Sequence, residues 1–203
     1  MIDRLSRAAR RPVSREAFEK LEAYVALLRD ESRRQNLISA SSVDSVWDRH
    51  ILDSAQLVAF ESREGASWCD IGSGAGLPGI VIACLVNGPV TLIEPRRLRV
   101  EFLHRVAESL HLNASVAATK AQFVTGEFEV ITARAVAPLV RLLEISMHLS
   151  TRKTVWALPR GRSAQAELAA VRRTCQGVFH VERSVSDPDS YILVGTGVRA
   201  KQR

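Results

Sequence analysis

Four glycines, at positions 72, 74, 76 and 79, stand within eight residues of one another. Glycine lets the chain turn tightly and lets a ligand approach the backbone. The run follows a predicted strand over 68–71 and precedes a predicted helix over 80–86. It therefore falls at the carboxyl end of a strand, where α/β sheets bind nucleotides. The spacing predicts a nucleotide-like ligand on this glycine loop, residues 72–79.

The glycine loop fits two ligand motifs. Residues 74–79 match the G-x-G-x-x-G pattern of dinucleotide-binding enzymes. Residues 72–76, preceded by Asp70, match the G-x-G-x-G loop of enzymes that use S-adenosyl-L-methionine. The Asp70 carboxylate would repel a pyrophosphate, whereas it favours the ammonium and sulfonium of S-adenosyl-L-methionine. The residues favour this methyl donor and leave a dinucleotide-dependent oxidoreductase as the alternative.

Glu94 ends the next predicted strand, 22 residues after Gly72. A carboxylate at this place accepts hydrogen bonds from both hydroxyl groups of a ribose. Because both candidate ligands contain ribose, Glu94 supports a ribose-bearing ligand without choosing between them.

Hydrophobic patterning predicts the elements that position these residues. Two amphipathic helices, over about 14–34 and 43–60, follow a basic arm that forms a frayed segment or a short helix. Strands then alternate with helices, and the last two strands, 178–185 and 191–195, are close enough to pair antiparallel. This order predicts an α/β fold with a doubly wound, mostly parallel sheet and a C-terminal antiparallel hairpin. The expected division is an N-terminal helical extension, 1–64, packed on a core domain, 65–203. The other predicted strands are 68–71, 90–94, one near 116, 128–133 and 154–158, and the helices are 80–86, 96–111, 139–149 and 163–174.

Composition excludes several classes of protein. Of the 203 residues, 46% are hydrophobic and 25% are charged, which is ordinary for a globular protein and excludes a disordered chain. The longest apolar run, 80–86, is too short to span a bilayer, so no membrane partner is expected. Three cysteines cannot build a disulfide framework, and an odd number suits a reducing cytoplasm. The histidines and cysteines show no zinc-site spacing, so no metal is predicted. The apolar helix faces can all be used in one core, which favours a monomer.

The net charge of +6 comes almost entirely from arginine. Guanidinium groups bind phosphates and stack on bases, so a polyanionic partner such as RNA is plausible. Charge alone leaves open a non-catalytic RNA-binding module that keeps a relic cofactor loop. The arginines expected to contact RNA are Arg33, Arg34, Arg97, Arg160 and Arg162.

Three runs together resemble one family: R-H-I-L-D-S at 49–54, D-I-G-S-G-A-G-L-P-G at 70–79 and I-T-A-R-A at 131–135. They resemble the RsmG (GidB, glucose-inhibited division protein B) family, and the similarity extends from about Phe18 to Val194. Members of that family are bacterial methyltransferases that modify N7 of one guanine in a loop of 16S rRNA. The resemblance implies a Rossmann-like S-adenosylmethionine-dependent methyltransferase fold with a helical extension. The implied partner is 16S rRNA or a precursor of the small ribosomal subunit.

The resemblance also implies roles for individual residues. Ala121 and Gln122 match a loop that packs beside the adenine, although the family usually has an acidic residue where Gln122 stands. Arg134 matches an arginine after the fourth strand, where it could hold the methionine carboxylate or a target phosphate. Asn36 and His50, with Arg134, form the implied catalytic set. The L-K-G element of the family corresponds to L-P-R-G at 158–161, where Arg160 would replace the lysine unless the inserted proline shifts it. The expected cofactor-binding residues are Asp70, Gly72, Ser73, Gly74, Gly76, Leu77, Glu94, Ala121, Gln122 and Arg134.

Methylation of guanine N7 makes modest demands on an enzyme. The N7 lone pair is exposed at the base edge and attacks a methyl sulfonium without first losing a proton. Such an enzyme needs alignment of the reacting atoms more than it needs a general base. The sequence agrees with this, since it contains no N/D-P-P-Y/F element of the kind used for methylation of amino groups.

Overall fold

A computed structural model of the protein describes residues 1–39, 42 and 44–201. Seven strands form one sheet in the order β3-β2-β1-β4-β5-β7-β6. Strands β1 to β5 are parallel, and β7 runs antiparallel between β5 and β6. This confirms the predicted mostly parallel sheet with a C-terminal hairpin, and the antiparallel strand lies one place in from the edge. The strands are β1 Trp68–Ile71, β2 Val90–Ile93, β3 Ala114–Ala117, β4 Phe128–Thr132, β5 Ser150–Arg160, β6 Cys175–Arg183 and β7 Tyr191–Ala200.

The leading helices differ in regularity. The basic arm forms a short helix. Ser14 caps the next helix, because its hydroxyl accepts a hydrogen bond from the Ala17 N–H at 3.1 Å. The second amphipathic segment is a helical stretch over 47–60, here called α3, with a π-helical turn, a short α-helical turn and a 3₁₀ turn in succession. Val43, where this helix was expected to begin, lies outside the described residues. The remaining helices are α1 Ile2–Ala9, α2 Arg15–Glu31, α4 Gly79–Leu85, α5 Arg97–Ser109, α6 Leu139–Ser146 and α7 Ala164–Thr174.

Side chains alternate between two hydrophobic layers along the central strands. Trp68 and Leu92 pack in the layer that contains α1 to α5, whereas Cys69 and Ile93 pack in the layer that contains α6 and α7. A parallel sheet covered on both faces offers ligands only its strand ends and the loops beyond them. Ligand binding is therefore expected at the carboxyl ends of β1, β2 and β4.

The leading helices share the core of the sheet. Leu5, Leu21 and Val58 are fully buried in the same cluster as Trp68.

Among the described residues, no helix is long and apolar enough to cross a membrane.

Candidate functional site

The glycine loop turns back over the end of β1. Its first residue, Gly72, donates its N–H to the Ile93 carbonyl at 2.8 Å, which ties the loop to β2. Gly76 has a φ of +93°, and a Cβ there would lie 2.5 Å from Cγ1 of Ile80. Glycine is therefore required at this position both by the backbone conformation and by the space.

Two segments that are distant in sequence contact the glycine loop. The Tyr24 hydroxyl, on α2, donates to the Ala75 carbonyl at 2.8 Å. A Cβ on Gly72 would lie only 2.6 Å from Cγ2 of Val136, in the loop after β4. The loop is thus held from the helical extension on one side and from the β4 end on the other.

Glu94 follows β2 directly and is 3% exposed. Its Oε2 accepts from the Gly74 N–H at 2.9 Å, and its Oε1 accepts from the Arg96 N–H at 2.9 Å. Each carboxylate oxygen has two lone-pair sites, so each keeps one for a further donor. A buried carboxylate with two such sites suits the paired hydroxyl groups of a ribose.

Asp70 lies at the third position of β1 and is 1% exposed. Its Oδ2 accepts from the Gly79 N–H at 3.0 Å, at the start of α4, while Oδ1 has no partner among the described residues. Burial raises the pKa of this carboxyl to about 6, so it is mostly ionised at neutral pH. An ionised carboxylate with a partnerless oxygen beside the loop fits a cationic ligand such as the methionine end of S-adenosyl-L-methionine.

Apart from Arg134, the other predicted cofactor residues lie in the glycine loop or in the turn after β3. Ser73 and Leu77 are buried within the glycine loop, and the Ser73 hydroxyl donates to the Asp70 carbonyl at 2.9 Å. Ala121 and Gln122 form a 3₁₀ turn after β3, with Ala121 buried and Gln122 exposed. Because β3 is next to β2, this turn and Glu94 follow neighbouring strand ends.

A second group of side chains surrounds Arg134, at the end of β4. Its Nη1 lies 3.3 Å from Nδ1 of His50 and 3.5 Å from Oδ2 of Asp53, both on α3. Burial lowers the pKa of His50 to about 4, and the nearby Arg134 charge adds to this effect. The imidazole is therefore neutral near pH 7, and its Nδ1 can accept from the guanidinium. We call His50, Asp53 and Arg134 the arginine cluster.

A cavity of about 560 Å³ opens beside the arginine cluster. Asp53 and Arg134 line it together with Pro138, Arg160 and Tyr191. A larger cavity of about 690 Å³ lies at the amino ends of the strands and contains none of the predicted site residues.

The predicted RNA-contacting arginines divide into two kinds. Arg160 has a side chain only 6% exposed, and it donates to the Ala133 and Pro159 carbonyls and pairs with Glu167. Burial lowers its pKa. The other four have side chains at least 68% exposed and pair with surface carboxylates. These four, Arg33, Arg34, Arg97 and Arg162, are the ones placed where RNA could reach them.

Among the described residues, Asn36 forms no hydrogen bond with the arginine cluster. It is exposed and lies in the segment that follows α2.

Sequence reasoning missed Asp53, Tyr24 and Val136. Asp53 could have been found, since it stands three residues after His50 and so shares its helix face. Tyr24 and Val136 carry no local signal, because their contacts lie 51 and 64 residues away along the chain.

The strand order, the glycine loop after β1 and the acidic residue after β2 define a Rossmann-like methyltransferase. Solved structures agree on this fold. An S-adenosylmethionine-dependent methyltransferase from Aquifex aeolicus superimposes with a TM-score of 0.63 at 14% identity, covering 82% of this chain and 97% of its own. Fibrillarin from Aeropyrum pernix, solved with S-adenosyl-L-methionine, gives a TM-score of 0.52 at 13% identity and covers 66% and 67%.

Comparison of sequences identifies a specific family within this fold. The family model for rRNA small subunit methyltransferase G, GidB, matches residues 17–187, and the chain belongs to this family. The ribosomal RNA small subunit methyltransferase G of Erythrobacter litoralis is 50% identical over 187 residues, 91% of this chain and 90% of that protein. Its counterpart in Zymomonas mobilis is 44% identical over 200 residues, 94% and 90% of the two chains. The family resemblance carried by the three sequence runs is confirmed.

Proposed function

We propose that the protein transfers a methyl group from S-adenosyl-L-methionine to N7 of a guanine in 16S rRNA, in the small ribosomal subunit or its precursor. The observation that carries this proposal is the pairing of the glycine loop with the buried Glu94 at the ends of adjacent parallel strands. When bound, S-adenosyl-L-methionine supplies an activated methyl group on a sulfonium.

The cofactor side of the site is built for binding. Glu94 accepts the ribose hydroxyl groups through the free lone pairs of its two oxygens. The Asp70 carboxylate favours the positive charges, and Ala121 and Gln122 border the adenine. The glycine loop lets the backbone come close, so this edge of the sheet orients the donor rather than reacting with it.

The cavity beside the arginine cluster is the place for the target base. Its volume of about 560 Å³ is ample for a nucleotide turned out of an RNA loop. His50, with a pKa of about 4, is a poor proton acceptor. This suits N7, which carries no proton to remove, and supports N7 over an amino group as the methylated atom. Arg134 would hold the methionine carboxylate or an RNA phosphate at the same edge.

The other predicted residues and properties extend the same proposal. Arg33, Arg34, Arg97 and Arg162 bind backbone phosphates, and Arg160 reaches RNA only if its side chain leaves its buried position. Asn36 lies at the surface after α2, where it would meet the RNA loop. Residues 1–64 act as a helical extension of the methyltransferase domain, 65–203. The protein works as a cytoplasmic monomer without a metal.

Mass mapping of modified nucleotides in 16S rRNA, from cells with and without the protein, tests the activity. A 7-methylguanine that disappears with the protein, and returns when purified protein and S-adenosyl-L-methionine are added to small subunits, supports the proposal. An unchanged map contradicts it.

A thermal-shift comparison separates the alternatives. Stabilisation by S-adenosyl-L-methionine and not by NAD(H) is expected, and the reverse would favour an oxidoreductase. Binding of RNA without any methyl transfer would favour the non-catalytic RNA-binding module.

A further inference from the structure

Asp53 connects two parts of the molecule through its two oxygens. The side chain is 14% exposed. Its Oδ1 accepts from Gln56 Nε2 at 2.9 Å, from the Ser186 hydroxyl at 2.8 Å and from the Ser184 hydroxyl at 3.3 Å. Its Oδ2 faces Nη1 of Arg134 at 3.5 Å. Three donors on one oxygen fix the orientation of the carboxylate and leave the other oxygen for the guanidinium.

The donors on Oδ1 come from a distant segment. Ser184 and Ser186 belong to the turn between β6 and β7, and the Val185 N–H donates to Gln56 Oε1 at 2.9 Å. The Gln56 amide also donates to the Ser184 hydroxyl at 2.9 Å. The β6–β7 turn is therefore fastened to α3 at the residue that faces Arg134.

Asp53 is the charged partner of Arg134. Of the carboxylates in the described parts of the chain, that of Asp53 alone lies within 4 Å of the Arg134 guanidinium. Its other partner is the neutral His50, which supplies no charge. Both contacts use Nη1, and Nε and Nη2 donate to no described residue. One corner of the guanidinium is anchored by these contacts, and Arg134 also lines the cavity.

We propose that Asp53 is a positioning residue for Arg134, and that the β6–β7 turn supports the site through Asp53 although it supplies no reacting group. This inference rests on the proposed function, because its effect on rate is measured as rRNA methylation. It adds a physical role for a hairpin that lies outside the parallel part of the sheet.

Asp53→Asn is the sharpest test. The change keeps the size and an oxygen acceptor for the Gln56 and serine donors, and it removes the charge that faces Arg134. We expect kcat/KM for rRNA methylation to fall at least tenfold. Asp48→Asn, on the same helical stretch but with an exposed carboxylate that pairs with Arg4, is the matched control and should retain full activity.

A double-mutant cycle distinguishes positioning from an independent role. If Asp53 acts through Arg134, the Asp53→Asn and Arg134→Gln double variant should be no slower than Arg134→Gln alone. Losses that multiply, or an Asp53→Asn variant as active as the native protein, would overturn the proposal. The thermal midpoint of each variant is measured alongside, and coupling that persists among variants with native-like midpoints excludes a folding defect as its cause.

The turn is tested with Ser184→Ala combined with Ser186→Ala, which keeps the carboxylate and removes two of its donors. A loss of about threefold is expected in the native background and none in the Arg134→Gln background. An equal loss in both backgrounds would show that the turn does not act through Arg134.

A measurement on the protein alone separates this inference from the proposed function. The ¹⁵N resonance of His50 Nδ1 responds to the Arg134 contact and also to the nearby Asp53 charge. Asp53→Asn should therefore shift it more in the native background than in the Arg134→Gln background, whereas Asp48→Asn should shift it in neither. If the native protein methylates no rRNA, the function fails while this coupling can still be observed. An unmoved resonance in Asp53→Asn rejects the positioning role whatever the substrate.

Discussion

The cofactor edge, formed by the glycine loop with Asp70 and Glu94, lies at the same end of the sheet as the arginine cluster. The two regions are built differently. At the cofactor edge, Asp70 and Glu94 accept from backbone N–H groups of the loop between them. In the arginine cluster, His50, Asp53 and Arg134 meet side chain to side chain from segments more than 80 residues apart. Because the cofactor edge depends on backbone N–H groups, it should tolerate most side-chain changes but not a change in the backbone conformation of the loop. The arginine cluster depends on the charges of individual side chains.

The largest effect is expected where the chain path itself is changed. In Gly76→Ala, the new Cβ meets Ile80 at 2.5 Å on a backbone with φ of +93°. Strain and overlap together should lower the free energy of unfolding by about 3 kcal/mol and abolish binding of S-adenosyl-L-methionine. Urea unfolding and calorimetry measure the two effects.

Gly126→Ala is the control for this prediction. Gly126 also has positive φ, but no atom lies within 4 Å of its Cβ position. The free energy of unfolding of Gly126→Ala should fall by no more than about 2 kcal/mol, from strain alone, and its affinity for S-adenosyl-L-methionine should not change. Equal losses in the two variants would mean that the packing of the glycine loop has no special importance.

The next effect concerns Glu94, which accepts from the glycine loop and is proposed to bind the ribose. Glu94→Gln removes the charge and one acceptor oxygen. Because hydrogen bonds to a charged group contribute about 1.5–3 kcal/mol, the Kd for S-adenosyl-L-methionine should rise roughly ten- to hundredfold. Glu144→Gln, an exposed carboxylate paired with Arg141, should leave Kd unchanged. An unaltered affinity in Glu94→Gln would exclude Glu94 from ribose binding.

A smaller effect is expected from the pH response of the arginine cluster. The pKa of His50 is lowered to about 4 in the folded protein, against 6.5 for the free side chain. As pH falls below 6.5, the unfolded chain takes up a proton that the folded protein refuses, so native stability is lost until about pH 4. The stability difference between native protein and His50→Gln should shrink by about 1–2 kcal/mol over that window, since the ring is only partly buried. A difference that grows on acidification would place a charged imidazole beside Arg134.

The smallest effect is expected at the exposed arginines, outside both regions. Arg162→Gln should raise KM for rRNA about two- to fivefold and reduce the salt dependence of binding by about one counterion. Affinity for S-adenosyl-L-methionine should not change. Arg141→Gln, which is also exposed and paired with a carboxylate, should change neither quantity. Identical behaviour of the two variants would remove Arg162 from the RNA contact.

The two regions also differ in how far the sequence predicts them. Strands β1 and β2 and the loop between them follow from apolar runs that end in glycine or in Glu94, so their places were predicted nearly to the residue. Strand β5 was expected over 154–158 but extends over Ser150–Arg160, because pairing with β4 and β7 recruits flanking polar residues. The π-helical turn that carries His50 could not be predicted, since no local pattern distinguishes it from an α-helix. The partners of Asp53 stand up to 133 residues away, and only the folded chain shows them.

The hydroxyl of Tyr24 ties α2 to the glycine loop, which is proposed to bind the methyl donor. Shortening or exchanging the amino-terminal helices would therefore alter the support of the glycine loop. Replacing those helices with helices from another enzyme would also change the rigidity of the glycine loop, whichever RNA the new helices contacted.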